Sequence, residues 1–441
     1  MSNSKIYKTI DLFAGAGGLT EGFRREGFQA VYANEFEKNA AATCQLNHPD
    51  TLVSCEDIIQ VSAAEVRKEL SLDVHELDVL VGGPPCQGFS TYGQRDDEDP
   101  RNKLYMQFIK FLGEFRPKTY VIENVEGLLS MSGGAVLNAI ISDLENLGYG
   151  AQVHLLNAVD FGVPQKRKRV FILGGLDGEK ISVPVQTHSE IDKDQSQIDL
   201  LGKDTLRSWL NVSDAISDLS LVDPMVPKDT QLSMSYPDTS ELTDYQKRMR
   251  VGSDALSHHS SKQMLGIRRL RLAMMHPGDY GRDIAGRIAD KGLPYEIIDK
   301  LLTGSAGVRD YKGCRKQDVE KEMKLREMLH EGKHDLNEIM ETLSSGGFAN
   351  KYRRLHWDSP SHTVVAHMAR DCSDFVHPDQ DRFISVRESA RLQSFQDSYR
   401  FVGSQFQQFK QIGNAVPPEL GSAIARKIKQ VLGESLLNKA A

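Results

Sequence analysis

Cys86 carries the clearest chemical promise in this chain. It sits in Val81-Gly82-Gly83-Pro84-Pro85-Cys86-Gln87-Gly88-Phe89-Ser90, directly after the short apolar run Leu77 to Val81. Such a run suits a buried parallel strand that ends where the glycines begin. Pro84 and Pro85 then stiffen the backbone and present Cys86 at the carboxyl end of a sheet, where open α/β folds bind ligands. A thiol held there is a candidate nucleophile. The plainer reading is a small buried cysteine. A second strand, Lys118 to Ile122, delivers Glu123-Asn124-Val125 to the same edge, and neither polar residue suits a core. In Gln165-Lys166-Arg167-Lys168-Arg169, alternation puts Gln165, Arg167 and Arg169 on one face and both lysines on the other. That face is a fork for carbonyl or phosphate oxygens, or else a solvated edge strand.

A ligand loop is also legible upstream. Ile6 to Phe13 reads as a first strand ending in Asp11-Leu12-Phe13-Ala14-Gly15-Ala16-Gly17-Gly18, with a helix from about Gly18 to Arg25. Glycines there permit a tight turn and close approach to a ligand. The spacing is not G-x-G-x-x-G, because Thr20 stands where the third glycine belongs, which disfavours a dinucleotide. Glu35 ends the next strand, Phe28 to Asn34, placed to hold ribose hydroxyls or, more plainly, to start the helix Glu37 to Leu46. Asp57-Ile58 follows a third short strand, where a carboxylate can accept from an adenine amino group.

These residues need a doubly wound sheet to position them. Leu104 to Phe115 is helical by pattern, and Gly150 to Asn157 and Val170 to Leu173 read as further strands. The pattern changes near Glu179. Helical pieces follow near Leu206 to Leu219 and Lys316 to Leu343, then an amphipathic helix over Ser385 to Phe395. Gln411 to Pro418 reads as a ligand-facing loop before a last helix, Glu419 to Leu432.

The 441 residues suit one large domain with a smaller one, or two to three domains. A net charge of 54 − 61 = −7 excludes a basic nucleic-acid coat and confines such contacts to local patches. Two patches stand out: His258 to Arg282, including Arg268 and Arg269, and Lys351-Tyr352-Arg353-Arg354. Five scattered cysteines without CxxC spacing indicate reduced thiols, with neither disulfide frame nor zinc site. His258 and His259 lack a further ligand at metal spacing. No apolar run approaches ~20 residues and no signal core opens the chain, so no membrane span is expected.

Taken together, these motifs resemble the C5-cytosine DNA methyltransferase family. The likeness rests on the Phe-x-Gly-x-Gly turn at Phe13, Pro-Pro-Cys-Gln at 84–87, Glu-Asn-Val at 123–125 and Gln-x-Arg-x-Arg at 165–169. It continues in Arg-Glu-x-x-Arg-Leu-Gln at 387–393 and Gly-Asn-x-Val-Pro-Pro at 413–418, covering about residues 6–178 and 351–432. Gln396 departs from the pattern, where the family commonly has proline.

The resemblance implies an α/β fold: a Rossmann-like S-adenosylmethionine-dependent methyltransferase domain with a second, smaller target-recognition domain. It divides the chain into a catalytic domain (1–178), a target-recognition domain with variable insertions (179–384) and a C-terminal segment returning to the catalytic domain (385–441). Phe13, Gly15, Gly17, Glu35, Asp57, Ile58, Pro85, Leu104, Asn414 and Val416 are then expected around S-adenosylmethionine. Cys86 is the implied nucleophile, Glu123 its acid partner, and Arg167 and Arg169 hold the cytosine O2 or a nearby phosphate. Double-stranded DNA is the implied substrate, with Ser90, Tyr92, Arg268, Arg269, Arg353, Arg354 and Thr363 as contacts.

The chemistry is coherent. Thiolate addition at C6 makes C5 nucleophilic, and a protonated Glu123 neutralises the charge developing at N3. The target base must leave the duplex to be reached. The expected setting is a metal-free monomer in a bacterial cytosol, with a cognate restriction endonuclease acting separately. Competing readings are a tRNA cytosine-5 methyltransferase, a catalytically silent DNA-binding regulator and a nicotinamide oxidoreductase. Glycine spacing disfavours the last, and the intact Cys86, Glu123 and Arg169 disfavour the regulator.

Overall fold

The computed structural model describes residues 6–85, 102–190, 206–222, 233–238, 241–262, 267–283, 316–330, 338, 341–342 and 351–440. Its centre is a seven-stranded sheet in the order β3-β2-β1-β4-β5-β7-β6. The strands are β1 (Tyr7–Leu12), β2 (Phe28–Asn34), β3 (Leu52–Ser54), β4 (Val79–Gly82), β5 (Thr119–Val125), β6 (Gln152–Asn157) and β7 (Lys168–Gly175). The first five run parallel, and β7 runs antiparallel to both β5 and β6.

Alternation explains how one sheet is packed on both of its faces. Leu80, Tyr120, Ile122, Val170 and Ile172 face one cluster, whereas Val79, Val81, Val121, Phe171 and Leu173 face the other. A strand buried on both faces is apolar at every position, which is why these segments read as continuous hydrophobic runs. Helix α4 (Asn102–Phe115) and helix α5 (Ala135–Asn146), which follows a 3₁₀ turn, cover the first face, with Phe108, Phe111, Ile140 and Leu144 inward. Helix α1 (Gly18–Arg25) and the last helix of the chain (Pro418–Ala440) cover the second. Those two helices touch at glycines: a Cβ on Gly22 would stand 2.7 Å from Gly421 Cα. Two short helices, α2 (Lys38–Asn47) and α3 (Ala63–Glu69), complete the β2–β4 crossovers.

A second core lies beyond the sheet. Helices α6 (Val212–Ile216), α7 (Asp244–Arg250), α8 (Ile267–Ala273), α9 (Lys316–His330), α10 (Val386–Leu392) and α11 (Gln405–Asn414) contribute to it, together with residues 355–376. Val386, Ala390, Leu392, Phe395, Phe409 and Ile412 are buried in the second core, and the chain rejoins the sheet only at Val416, just before its last helix, α12 (Pro418–Ala440). The helix expected over Leu206 to Leu219 is only α6. Arg207–Ser208 is extended and pairs with His188–Ser189, and the Asn211/Asp214 capping box starts the helix later. Residues 411–414 of the expected ligand-facing loop are instead the last turn of α11, which the Ser404/Gln407 capping box opens. Among the described residues, no helix is long and apolar enough to cross a membrane.

Candidate active site

The register of the sheet builds the site. Leu12 pairs with Asn34 on one side and Gly82 on the other, and Gly82 pairs with Ile122. The next residues of these four strands, Phe13, Glu35, Gly83 and Glu123, therefore emerge along one edge. Strand order reverses at β1, so this edge is a topological switch point. A cleft of about 460 Å³ opens there. Its walls come from the β1 loop, the start of α2, Gly83 to Pro85, Glu123 to Val125, and the end of α11 with Ala415 and Val416.

The loop after β1 is held at several atoms. Phe13 has φ 61° and Gly15 φ 58°, left-handed values that turn the chain sharply. The Gly15 amide donates to Glu35 Oε2 at 2.8 Å, and the Glu37 amide donates to Oε1 at 2.7 Å. Burial raises the Glu35 carboxyl above its ordinary range, with the two amides opposing. A Cβ on Gly15 would meet nothing within 4 Å, so the loop leaves room above it. Asp11, at the floor, accepts a 2.6 Å hydrogen bond from the Thr20 hydroxyl, and burial pushes its carboxyl up to about 7.

At the other end of the cleft, Glu123 pairs with Arg169 at 3.0 Å. Burial raises the Glu123 carboxyl, and Arg169 and Arg167 oppose that rise. Gly83 lies close beneath this carboxylate: a Cβ there would stand 3.0 Å from Glu123 Oε2, so Glu123 would have to shift to admit one. Asn124 Nδ2 donates to the Pro84 carbonyl at 2.9 Å and so ties the Pro-Pro turn to β5.

The structure brings Phe13, Gly15, Glu35, Pro85, Asn414, Val416 and Glu123 together around this cleft. Gly17, Asp57, Ile58 and Leu104 stand off its walls. Gly17 caps α1 and packs against Tyr399 and His48. Asp57 accepts from the Ile59 amide at 3.0 Å, Ile58 is buried in the sheet core, and Leu104 packs against the same core. Cys86, Ser90 and Tyr92, and the side chain of Arg269, lie outside the described residues.

Two arginines have other partners than the sequence suggested. Arg167 is 1% exposed, and its guanidinium donates to the carbonyls of Val364 (2.7 Å), Gly413 (3.1 Å) and Ala415 (2.9 Å). It is a fork for carbonyl oxygens, but of this chain, and it clamps the start of β7 to the C-terminal segment. Arg354 is likewise buried. It donates to the His377, Pro378, Gln380 and Leu272 carbonyls and pairs with Asp381 at 3.0 Å. Its guanidinium is thus engaged by acceptors of this chain. Arg353 is half-buried with its guanidinium over the Tyr280 ring, which Arg282 also approaches. Arg268 is half-buried on α8, and the Thr363 hydroxyl donates to the Lys166 carbonyl at 2.8 Å. Gln396 donates to the Arg248 carbonyl at 3.0 Å, and its own carbonyl accepts from Arg387.

Asp11 and Lys410, which the sequence did not single out as site residues, line the cleft together with Gln411 of the expected ligand-facing loop, and Lys410 pairs with Glu37 at 2.8 Å across its rim. Phe36, beside the half-buried Glu35, is 68% exposed. The Ser404-x-x-Gln407 capping signature of α11 could have placed Lys410 and Gln411 on a helix.

With this geometry established, comparison identifies its relatives. The family model for C-5 cytosine-specific DNA methylase matches residues 7–430. The chain is 57% identical over 428 residues to the Type II methyltransferase M.AgeI of Thalassovita gelatinovora, covering 96% of this chain and 99% of that protein. It is 33% identical over 430 residues to the Type II methyltransferase M.DdeI of Desulfomicrobium norvegicum, covering 95% and 88%. A crystal structure described as a DNA modification methyltransferase encoded within an E. coli prophage superposes with a TM-score of 0.67. That pair shares 22% identity over 97% of this chain and 99% of the other, a likeness of fold.

Proposed function

The chain belongs to the C-5 cytosine-specific DNA methylase family and is a DNA cytosine-5 methyltransferase; on that premise we propose that its cleft takes S-adenosylmethionine at the β1–β2 end and a flipped-out cytosine at the β4–β5 end. The observation that carries this is the pairing of two different carboxyl sites along one sheet edge. Glu35 is bound by backbone amides beside an open glycine turn, and Glu123 is paired with Arg169 beside the Pro84-Pro85 turn.

The residues fit the cofactor. Glu35 has lone pairs to accept from ribose hydroxyls, the bare Gly15 admits close approach, and Phe36 offers a ring face to adenine. Leu19 and Val416 form apolar wall. When bound, S-adenosylmethionine supplies an electrophilic methyl group.

The chain's own residues prepare the base. The Cys86 thiolate adds to C6 of cytosine, and the ring electrons move toward C5. Burial raises the Glu123 carboxyl against the pull of Arg169 and Arg167, which favours the protonated form that gives a proton at N3 as charge develops there. Arg169 orients Glu123 and favours the thiolate with its charge. Once C5 has taken the methyl group, loss of the C5 proton to a base, departure of the Cys86 thiolate and return of the N3 proton to Glu123 restore the aromatic ring. The target is double-stranded DNA, and the setting is modification alongside a restriction endonuclease. Arg353 and its Tyr280 neighbour belong to the recognition surface.

Tritium transfer from labelled S-adenosylmethionine to duplex DNA but not tRNA is the expected result. A duplex with 5-fluorocytosine at the target should form an SDS-stable adduct with the wild type and none with Cys86→Ala. Normal turnover by the alanine variant would sink the assignment of Cys86.

A further inference from the structure

The glycine loop is fastened from a distant part of the chain. Tyr399 lies between α10 and α11 and is buried; its ring packs against Phe395 (centroids 4.8 Å apart) and Phe401 (5.5 Å) in the second core. Its backbone is fixed as well: its carbonyl accepts from Arg387 at 2.8 Å, and its amide donates to the Gln396 carbonyl at 3.0 Å. Its hydroxyl donates to the carbonyl of Ala16, inside the loop between β1 and α1. His48, the residue after α2, brings its Nε2 to 3.2 Å from the same hydroxyl. The phenol has one proton. Given to Ala16, it leaves the phenol oxygen as acceptor, so His48 Nε2 carries a hydrogen and donates.

The next residue shows how closely the pair grips. A Cβ on Gly17 would stand 2.8 Å from the Tyr399 oxygen and 3.0 Å from His48 Nε2. Gly17 also has φ 81° and caps α1, and its amide donates to the Ala14 carbonyl at 2.9 Å. Two residues before Gly17, the Gly15 amide faces Glu35 in the cleft. The orientation of that segment is thus set from below by Tyr399 and His48 and from above by Glu35.

We propose that Tyr399 is a positioning residue for the cofactor loop, acting with His48 to hold Ala16 and Gly17 so that Gly15 and Glu35 stay preset for ligand. The inference rests on the reading that the cleft takes S-adenosylmethionine. It adds that cofactor affinity is tied to the second core, because the aromatic cluster that seats Tyr399 belongs to that core. A preset loop binds without first being ordered, so loosening it weakens binding and leaves the chemical step intact.

Calorimetric titration of the full chain with S-adenosylmethionine tests this, alongside steady-state kinetics and thermal melts. Tyr399→Phe keeps the ring and removes the hydroxyl. It should weaken cofactor binding roughly 3- to 15-fold, the range for one buried hydrogen bond, and raise the cofactor KM in step, with the deficit recovered at saturating cofactor. A lower melting temperature with an unchanged Kd would mean a merely structural tyrosine and would overturn the proposal; so would a fall in kcat at unchanged KM. His48 supplies an independent arm, informative even if Tyr399→Phe does not fold. His48→Gln retains an N–H donor and should bind nearly as the wild type does, whereas His48→Leu should bind more weakly; equal affinities for the two variants also overturn it. Glu35→Ala separates the two levels. If it leaves affinity unchanged, the cofactor site itself is misplaced. If it weakens binding while Tyr399→Phe and His48→Leu do not, the cleft stands and only the clamp falls.

Discussion

Glu123 is the group whose protonation the proposed chemistry needs. Burial raises its folded-state pKa, so the proton persists to a higher pH than on a free carboxylate and is lost as pH rises through that raised value. The kcat/KM profile should accordingly fall on its alkaline limb. Glu123→Gln, whose amide donates without titrating, should flatten that limb, and Glu123→Ala should lose about 10²- to 10⁴-fold in rate. An unchanged alkaline limb in the glutamine variant would assign the limb to another group. Arg167 makes the opposite case. Its carbonyl partners predict that Arg167→Ala loses stability, by roughly 2–4 kcal/mol for the buried partners left unpaired. A variant with a wild-type melting curve but no methylation would return Arg167 to the reacting base.

At the scale of elements, α10 shows why a short polar sequence can be a core. Ser385 and Glu388 form its capping box, and Glu388 also takes two hydrogen bonds, both 2.7 Å, from Arg382. Arg391 pairs with Asp397 and Asp218, and Arg387 donates to the Gln396 and Tyr399 carbonyls. Burial alone would raise the Glu388 carboxyl, but Arg382 holds it well below the usual carboxylate range. Its folded-state pKa is depressed, so the stability it contributes is present above its unfolded value of about 4.3 and is lost as pH falls below it. Glu388→Ala should cost about 3–5 kcal/mol, since it strands a buried guanidinium. Chemical denaturation at pH 7 and pH 4 checks both points: the gap between wild type and variant should shrink at the lower pH. In sequence, the arginines of this helix read as its polar face; Asp397 lies only six residues beyond Arg391, but Asp218 lies 173 residues before it, and helical periodicity reveals neither pairing.

The whole molecule divides by its cores. Residues 386–412 share a core with α6, α7 and α8, so a cut at 384 passes through packed side chains. Grafting residues 179–412 onto another family member should carry the recognition sequence and melt at a higher temperature than a graft of 179–384. Equal melting temperatures would show that the second core tolerates a foreign α10. Within the graft, Arg353→Ala distinguishes two kinds of contact. A base contact should let methylation spread to sites differing at one base pair, at about 1–3 kcal/mol of lost discrimination. A phosphate contact should weaken all sites alike and lower the salt slope by about one. Bisulfite sequencing of plasmid from expressing cells reads either outcome.

The strands and their ligand edge were legible from the chain alone. A doubly buried strand needs an unbroken apolar run, and the turn after it needs glycine or proline, so Leu77–Val81, the glycine loop and the positions of Glu35 and Glu123 follow from local pattern. Tertiary structure alone decided which partner each cation meets. Alternation correctly turned Gln165, Arg167 and Arg169 to one side, yet only packing reveals that Arg167 meets the carbonyls of residues 364, 413 and 415 while Arg169 meets Glu123. Tyr399 is the same case: the hydroxyl that holds Ala16 lies 383 residues further along the chain. A hydrogen bond between distant residues depends on where two cores abut, and no local propensity encodes that.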